Sequence, residues 1–157
     1  MASEPRNRLD IQIFDEIGAV ARLLRQSISR ELPPGMTLMH FELLLHFVRE
    51  GDGQTPAELA GVLMLTKGAL TNILQRMSDM GHVAVFADVS DGRKKRVRVT
   101  RNGVQAYMAV VKGLRSYKQS VRSAFTEAEF RDALPFLKAL RVFLEEMEPD
   151  ERLAERR

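Results

Sequence analysis

Apolar residues recur at intervals of three and four along almost the whole chain, and at intervals of two only between His82 and Thr100. That change of period constrains the fold more than any other feature. Spacing of three and four puts side chains on one face of a helix, whereas alternation puts them on one face of a strand. The chain is therefore expected to be mainly α, with one small β-hairpin set in its middle.

The helical segments have readable ends. In LDIQIFDEIGAVARLLRQSISREL, Ile13, Phe14, Ile17, Val20, Ala21, Leu24 and Ile28 form one apolar face, and Pro33, Pro34 and Gly35 end the helix. Thr37 is expected to cap a second helix that is apolar on more than one side and closes near Gly51. Thr55-Pro56-Ala57-Glu58 combines a capping box with proline at the first helical position, a double start signal for a short third helix. Thr66 can cap a fourth, KGALTNILQRMSDM, stopped by Gly81. On it Leu70, Ile73, Leu74 and Met77 form the buried stripe, and the opposite face carries Lys67, Gly68, Thr71, Asn72 and Gln75, with Arg76 at its margin.

From His82 the chain reads as a strand, a turn and a second strand, with Val97 and Val99 inward and Arg96 and Arg98 outward. Asp91-Gly92 is the pair expected to supply positive φ in the turn. Thr100 or Asn102 then caps a long helix in which Gly113 is the one weak point. Thr126-Glu127-Ala128-Glu129 opens a last helix, which Pro135 should kink and Pro149 should stop before a charged, frayed tail.

Two short helices joined by a tight turn and followed at once by a two-stranded ribbon outline a winged helix. At 157 residues, with 45% apolar and 29% charged side chains, the chain suits one soluble domain, with a winged lobe over 55–100 and helical regions over 10–50 and 101–147. No apolar run approaches the roughly 20 residues that span a bilayer, and the first ten residues lack the hydrophobic stretch of a secretory signal, so a cytoplasmic address and no membrane partner are expected. With no cysteine there are no disulfides or thiolate metal sites.

Charge position says more than the net +3, because six basic residues fall within Arg93 to Arg101. A charged edge hairpin kept soluble by its lysines and arginines is the plain alternative. Placed directly after a helix-turn-helix, the same density fits a wing that meets phosphates. Thr71, Asn72 and Gln75 can offer donors and acceptors to base edges, Lys67 and Arg76 suit phosphate or guanine, and Gly68 and Ala69 permit close approach. Arg93 at the turn can enter a narrow minor groove while Lys94, Lys95, Arg96 and Arg98 neutralise flanking phosphates.

The other candidates are weaker. His40 and His46 lie about 240° apart around a helix, and Glu42 with His46 makes one pair only, so no metal site or other cofactor is expected. No glycine-rich phosphate loop, cysteine nucleophile or placed histidine supports an enzyme. The methionines and Phe14, Phe41 and Phe47 read as core and dimer contacts.

LTKGALTNILQRMSDMGHV, DVSDGRKKRVRVTRNG and the Thr37 segment together resemble the MarR family of bacterial transcription regulators over nearly the whole chain. That resemblance implies a homodimer with interlocking terminal helices, its two winged lobes reading a pseudo-palindromic operator in double-stranded DNA. It places Thr66, Lys67, Gly68, Ala69, Thr71, Asn72, Gln75 and Arg76 on the recognition helix, Arg93 as the minor-groove arginine, and Asp91 as the acid that helps hold the wing. Some relatives have an acid where Thr66 stands, paired with the wing arginine; threonine offers only a neutral cap. The resemblance further implies a repressor released by a small aromatic acid or phenol, bound near Arg22, Arg25, Met39 and His40. The rival reading is a winged-helix protein that acts architecturally or on RNA, with no small-molecule response.

Overall fold

The computed structural model describes residues 8–154, with side chains to residue 147. In chain order its elements are α1 (Leu9–Arg30), α2 (Leu38–Glu50), α3 (Pro56–Val62), α4 (Lys67–Asp79), β1 (Val83–Ala87), β2 (Lys95–Val99), α5 (Arg101–Gly113), α6 (Arg115–Ala124) and α7 (Glu127–Ala154). The fold is mainly helical with one antiparallel hairpin, as the change of period implies. It divides after Leu114 into two compact units.

The first unit is built round α2, which meets α1, α4, α5 and β2. Its His40, Phe41, Leu43, Leu44 and Phe47 are buried, joined in the core by Leu59, Leu70, Leu74, Met77, Val83, Val97 and Val110. Phe41 stacks on Tyr107 of α5 with ring centroids 5.5 Å apart. Truncating a side chain such as Leu70, which has no exposed surface, should cost about 2–5 kcal/mol. The aromatic group is divided: Phe41 and Phe47 are core, while Phe14 on α1 is half exposed.

The caps fall where the threonines stand. Thr37 accepts from the His40 backbone N–H and donates its own N–H to His40 Nδ1, at 3.3 and 3.2 Å, so a histidine completes the capping box usually closed by glutamate. Thr55 and Glu58 make the expected box, with Pro56 at the first position of α3. Between α3 and α4, Met64 takes φ 54°, the one non-glycine residue with positive φ among those described. Leu65 N–H bonds the Ala60 carbonyl and Met64 N–H the Gly61 carbonyl, the paired reverse bonds of a Schellman ending with methionine where glycine is usual.

Strand register pairs Val83 with Val99 and Val85 with Val97. Val97 is buried and Val99 half-buried, so the inward face of β2 is the expected one. Thr100 caps α5, accepting from Gly103 N–H and donating to the Gly81 carbonyl. The start of α5 thus lies against the end of α4, and a Cβ at Gly103 would collide with the His82 carbonyl oxygen.

Three expectations fail. The long helix expected after Thr100 is interrupted at Leu114; Gly113 is a poor helix former, and the flexible end of the Glu31 side chain lies against it. The hairpin turn uses no positive φ, at Asp91 or at Gly92. Pro149 does not stop the last helix, which continues to Ala154.

In the second unit, Thr126 and Glu129 close a capping box on α7, and Phe125 meets Phe130 edge-on with centroids 6.1 Å apart. Those aromatics occupy the two positions of a hydrophobic staple and fix the entry into α7. The helix passes through Pro135 and leaves Leu134, Leu137, Phe143, Leu144 and Met147 exposed.

Candidate nucleic-acid interface

On α4, Leu70, Leu74 and Met77 are buried, and this fixes the opposite face outward. Lys67, Gly68, Thr71, Asn72, Gln75 and Arg76 are all exposed, with Ala69 half-buried and Thr66 exposed at the cap, where its hydroxyl accepts from Ala69 N–H. The side chains differ in their freedom. Thr71 Oγ1 donates to the Lys67 carbonyl at 2.8 Å, and Gln75 Nε2 donates to Asp79 at 2.9 Å. Asn72 has no such bond among the described residues, so it presents both its donor and its acceptor outward.

The hairpin loop is a sequence of hydrogen-bonded turns. Asp88 N–H bonds the Lys94 carbonyl, and Lys94 N–H bonds the Asp91 carbonyl, both at 2.8 Å. Asp91 also accepts from Arg93 N–H at 3.2 Å, an aspartate at the first position of a tight turn closed by its own carboxylate. Arg93 and Lys95 are exposed and make no side-chain bond among the described residues, and Lys94 has only a long ion pair with Asp91 at 3.8 Å. Arg98 lies over the Phe86 ring, 4.6 Å from its centroid, which braces the side chain and leaves it charged.

Arg96 lies on the outward face of β2 with its side chain 40% exposed, but it is not free. Its guanidinium binds Asp88 and donates to the Gly53 carbonyl at 2.7 Å. Asp88 also accepts from Ser90 Oγ and Ser90 N–H; these bonds, then that from Arg96, hold its carboxyl well below the usual carboxylate range. Asp88 was missed in the sequence, although an aspartate followed by serine two residues on is the signature of an Asx turn. Also missed was the stretch from Asp52 to Gln54, which lies beside β2 like a third strand: Gly53 N–H bonds the Val97 carbonyl, Val97 N–H bonds the Gln54 carbonyl, and Val99 N–H bonds the Asp52 carboxylate.

A cavity of about 440 Å³ opens between the helix-turn-helix and the wing, lined by Thr55, Pro56, Ala57, Lys67, Thr71, Lys94 and Lys95. It brings the start of the recognition helix and the base of the wing tip onto one face. None of Arg22, Arg25, Met39 and His40 lines it. Arg22 and Arg25 are exposed on α1, with Arg25 3.9 Å from Glu42; Met39 is half-buried, and His40 is buried with its Nδ1 in the cap. His46 meets Gln54 Nε2 at 3.3 Å, and no group of three or more His, Asp or Glu side chains gathers among the described residues. No single helix described is long and apolar enough to cross a membrane.

A recognition helix with a polar outer face, seated beside a basic ribbon, defines a winged helix-turn-helix protein that binds DNA. The model of the MarR family, whose transcription regulators bind DNA and are not enzymatic, matches residues 35–94, from the approach to α2 through the wing tip. The transcriptional activatory protein BadR of Rhodopseudomonas palustris is 26% identical over 140 residues, covering 87% of this chain and 80% of BadR. An HTH-type transcriptional repressor of Mycobacterium tuberculosis is 35% identical over 85 residues, covering 54% of this chain and 60% of the repressor's length. Among solved structures, a MarR variant from E. coli complexed with operator DNA is similar at 25% identity and TM-score 0.70, covering 88% of this chain and 99% of that one.

Proposed function

We propose that the protein is a homodimeric, operator-specific repressor that acts in the cytoplasm and releases its DNA when a small aromatic acid or phenol binds. The observation that carries the DNA part is the shared face: Lys67 and Thr71 of the recognition helix border one cavity with Lys94 and Lys95 of the wing, so one duplex can meet both. In this reading Asn72 reads base edges, Arg93 enters the minor groove, and Lys94 and Lys95 neutralise phosphates.

Two protomers would set their recognition helices about one DNA turn apart, roughly 34 Å, on a pseudo-palindrome. Exposed apolar surface on α1 and α7 supplies material for the dimer. The mycobacterial relative named as a repressor supports that direction of control, and BadR, named as an activatory protein, supports the opposite one. The effector reading rests on the family resemblance. Arg93→Ala and Asn72→Ala are each expected to weaken operator binding about tenfold or more, with the dimer intact by light scattering. Unchanged affinity in both variants contradicts the site. For the effector, a thermal-shift screen of aromatic acids and phenols should find a compound that both stabilises the protein and releases DNA; finding neither contradicts that part.

A further inference from the structure

We infer that Arg96 is a positioning residue for the wing and not a DNA contact, and that its bonds to Asp88 and Gly53 set where Arg93 meets DNA. This rests on the reading of the wing as a DNA-binding element. Arg96 sits opposite Phe86 in the hairpin, three residues from Arg93, with its charge already met: Nε faces the Asp88 carboxylate and Nη1 the Gly53 carbonyl. The Asp88 side chain is only 6% exposed, and its other oxygen is taken by the Ser90 hydroxyl and N–H. The Arg96 side chain is 40% exposed, but a phosphate taking over its Nε would have to displace a carboxylate held by two other bonds, both from Ser90, and charge-assisted pairs of this kind are the strong ones. Arg93 and Lys95 have no such partner among the described residues.

The bonds of Arg96 add a side-chain tie to the backbone bonds between β2 and the Asp52–Gln54 stretch, and bring Asp88 at the start of the loop into the same tie. Asp88 follows β1 and begins the loop, Arg96 lies in β2, and Gly53 stands two residues before Thr55, the cap of α3. One guanidinium therefore links the base of the wing to the start of the helix-turn-helix. Gly53 has φ +93°, a conformation that L side chains rarely adopt, and this turns its carbonyl toward Arg96. Beyond this anchorage the tip is held by two backbone bonds and the Asp91 carboxylate. Its pitch relative to α4 depends on the anchorage below it.

The experiment is a salt titration of binding between the full chain and a fluorescent duplex recovered from a random pool. Arg96→Lys and Arg96→Gln should both weaken binding about tenfold while leaving the slope of log K against log salt at the wild-type value. Lysine keeps the charge but cannot hold Asp88 and Gly53 together through one planar fork. Lys94→Gln, by contrast, should lower the slope by about 0.9. Gly53→Ala, which changes no charge and meets no neighbouring atom, should reproduce the Arg96 variants. In an Arg93→Ala background, Arg96→Gln should add nothing further. The proposal is overturned if Arg96→Gln lowers the slope by about one and Arg96→Lys restores both slope and affinity, or if the Arg93 and Arg96 effects simply add. A wild-type chain that binds no duplex overturns the wing reading itself, and this inference with it.

Discussion

Thr37, Thr55, Thr66, Thr100 and Thr126 each cap a helix through the side-chain oxygen, and four of the five partners are ordinary. His40 is not. It is buried, and its neutral Nδ1 accepts the Thr37 N–H, so a proton there would break the cap. Burial first, then the nearby Arg76 and His82, hold its pKa below the usual histidine value; burial does the same to His82, whose Nδ1 is buried with no hydrogen-bond partner. The unfolded chain therefore takes up protons at about pH 6.5 while the folded chain resists them, and stability falls as pH drops from there toward the lowered values. Thermal melts should show a lower Tm at pH 5.5 than at 7.5. His40→Gln, which keeps an acceptor for Thr37 but cannot titrate, should shrink that difference; an unchanged difference contradicts the role given to His40.

Among the elements, α2 to α4 were legible because a threonine cap and apolar spacing agree at each start, and α1 through its apolar face and the prolines after it, though its start carries no side-chain cap. The hairpin was legible through its alternation, and the exposed face of α4 followed from its buried stripe. The anchoring of the wing was not. Arg96 and Asp88 are eight residues apart and Arg96 and Gly53 forty-three apart, and no local pattern encodes such pairs. Asp91-Gly92 misled for a related reason, since a loop of this length closes with a turn that needs no positive φ. The break at Gly113 was visible as a weak point, but the Glu31 side chain beside it comes from the residue that follows α1, far away in sequence.

Two substitutions test the element junctions. Met64→Gly should stabilise the chain by about 1 kcal/mol, by removing a side chain from the left-handed conformation. Gly103→Ala should cost about 1–3 kcal/mol or more, because the obstructing atom is backbone. Denaturant titrations measure both, and opposite signs contradict the assigned junctions.

At the scale of the molecule, the apolar face left open on α7 needs a partner. Leu137 and Leu144, two helical turns apart, are 46% and 43% exposed. Leu137→Glu with Leu144→Glu should therefore leave the secondary structure intact by circular dichroism while halving the mass seen by light scattering. Operator binding should fall with it, since each protomer would then hold one half-site. A dimer that survives both charges contradicts the use of this face.

The central claim is that one face, made from α4 and the wing, reads a particular DNA sequence. Selection of duplexes from a random pool at physiological salt tests it most directly. The expected result is enrichment of a pseudo-palindrome with half-site centres about 10 base pairs apart and an A·T-rich minor groove under each Arg93. Uniform recovery of all sequences, or preferential recovery of RNA over duplex DNA when both are offered, contradicts it.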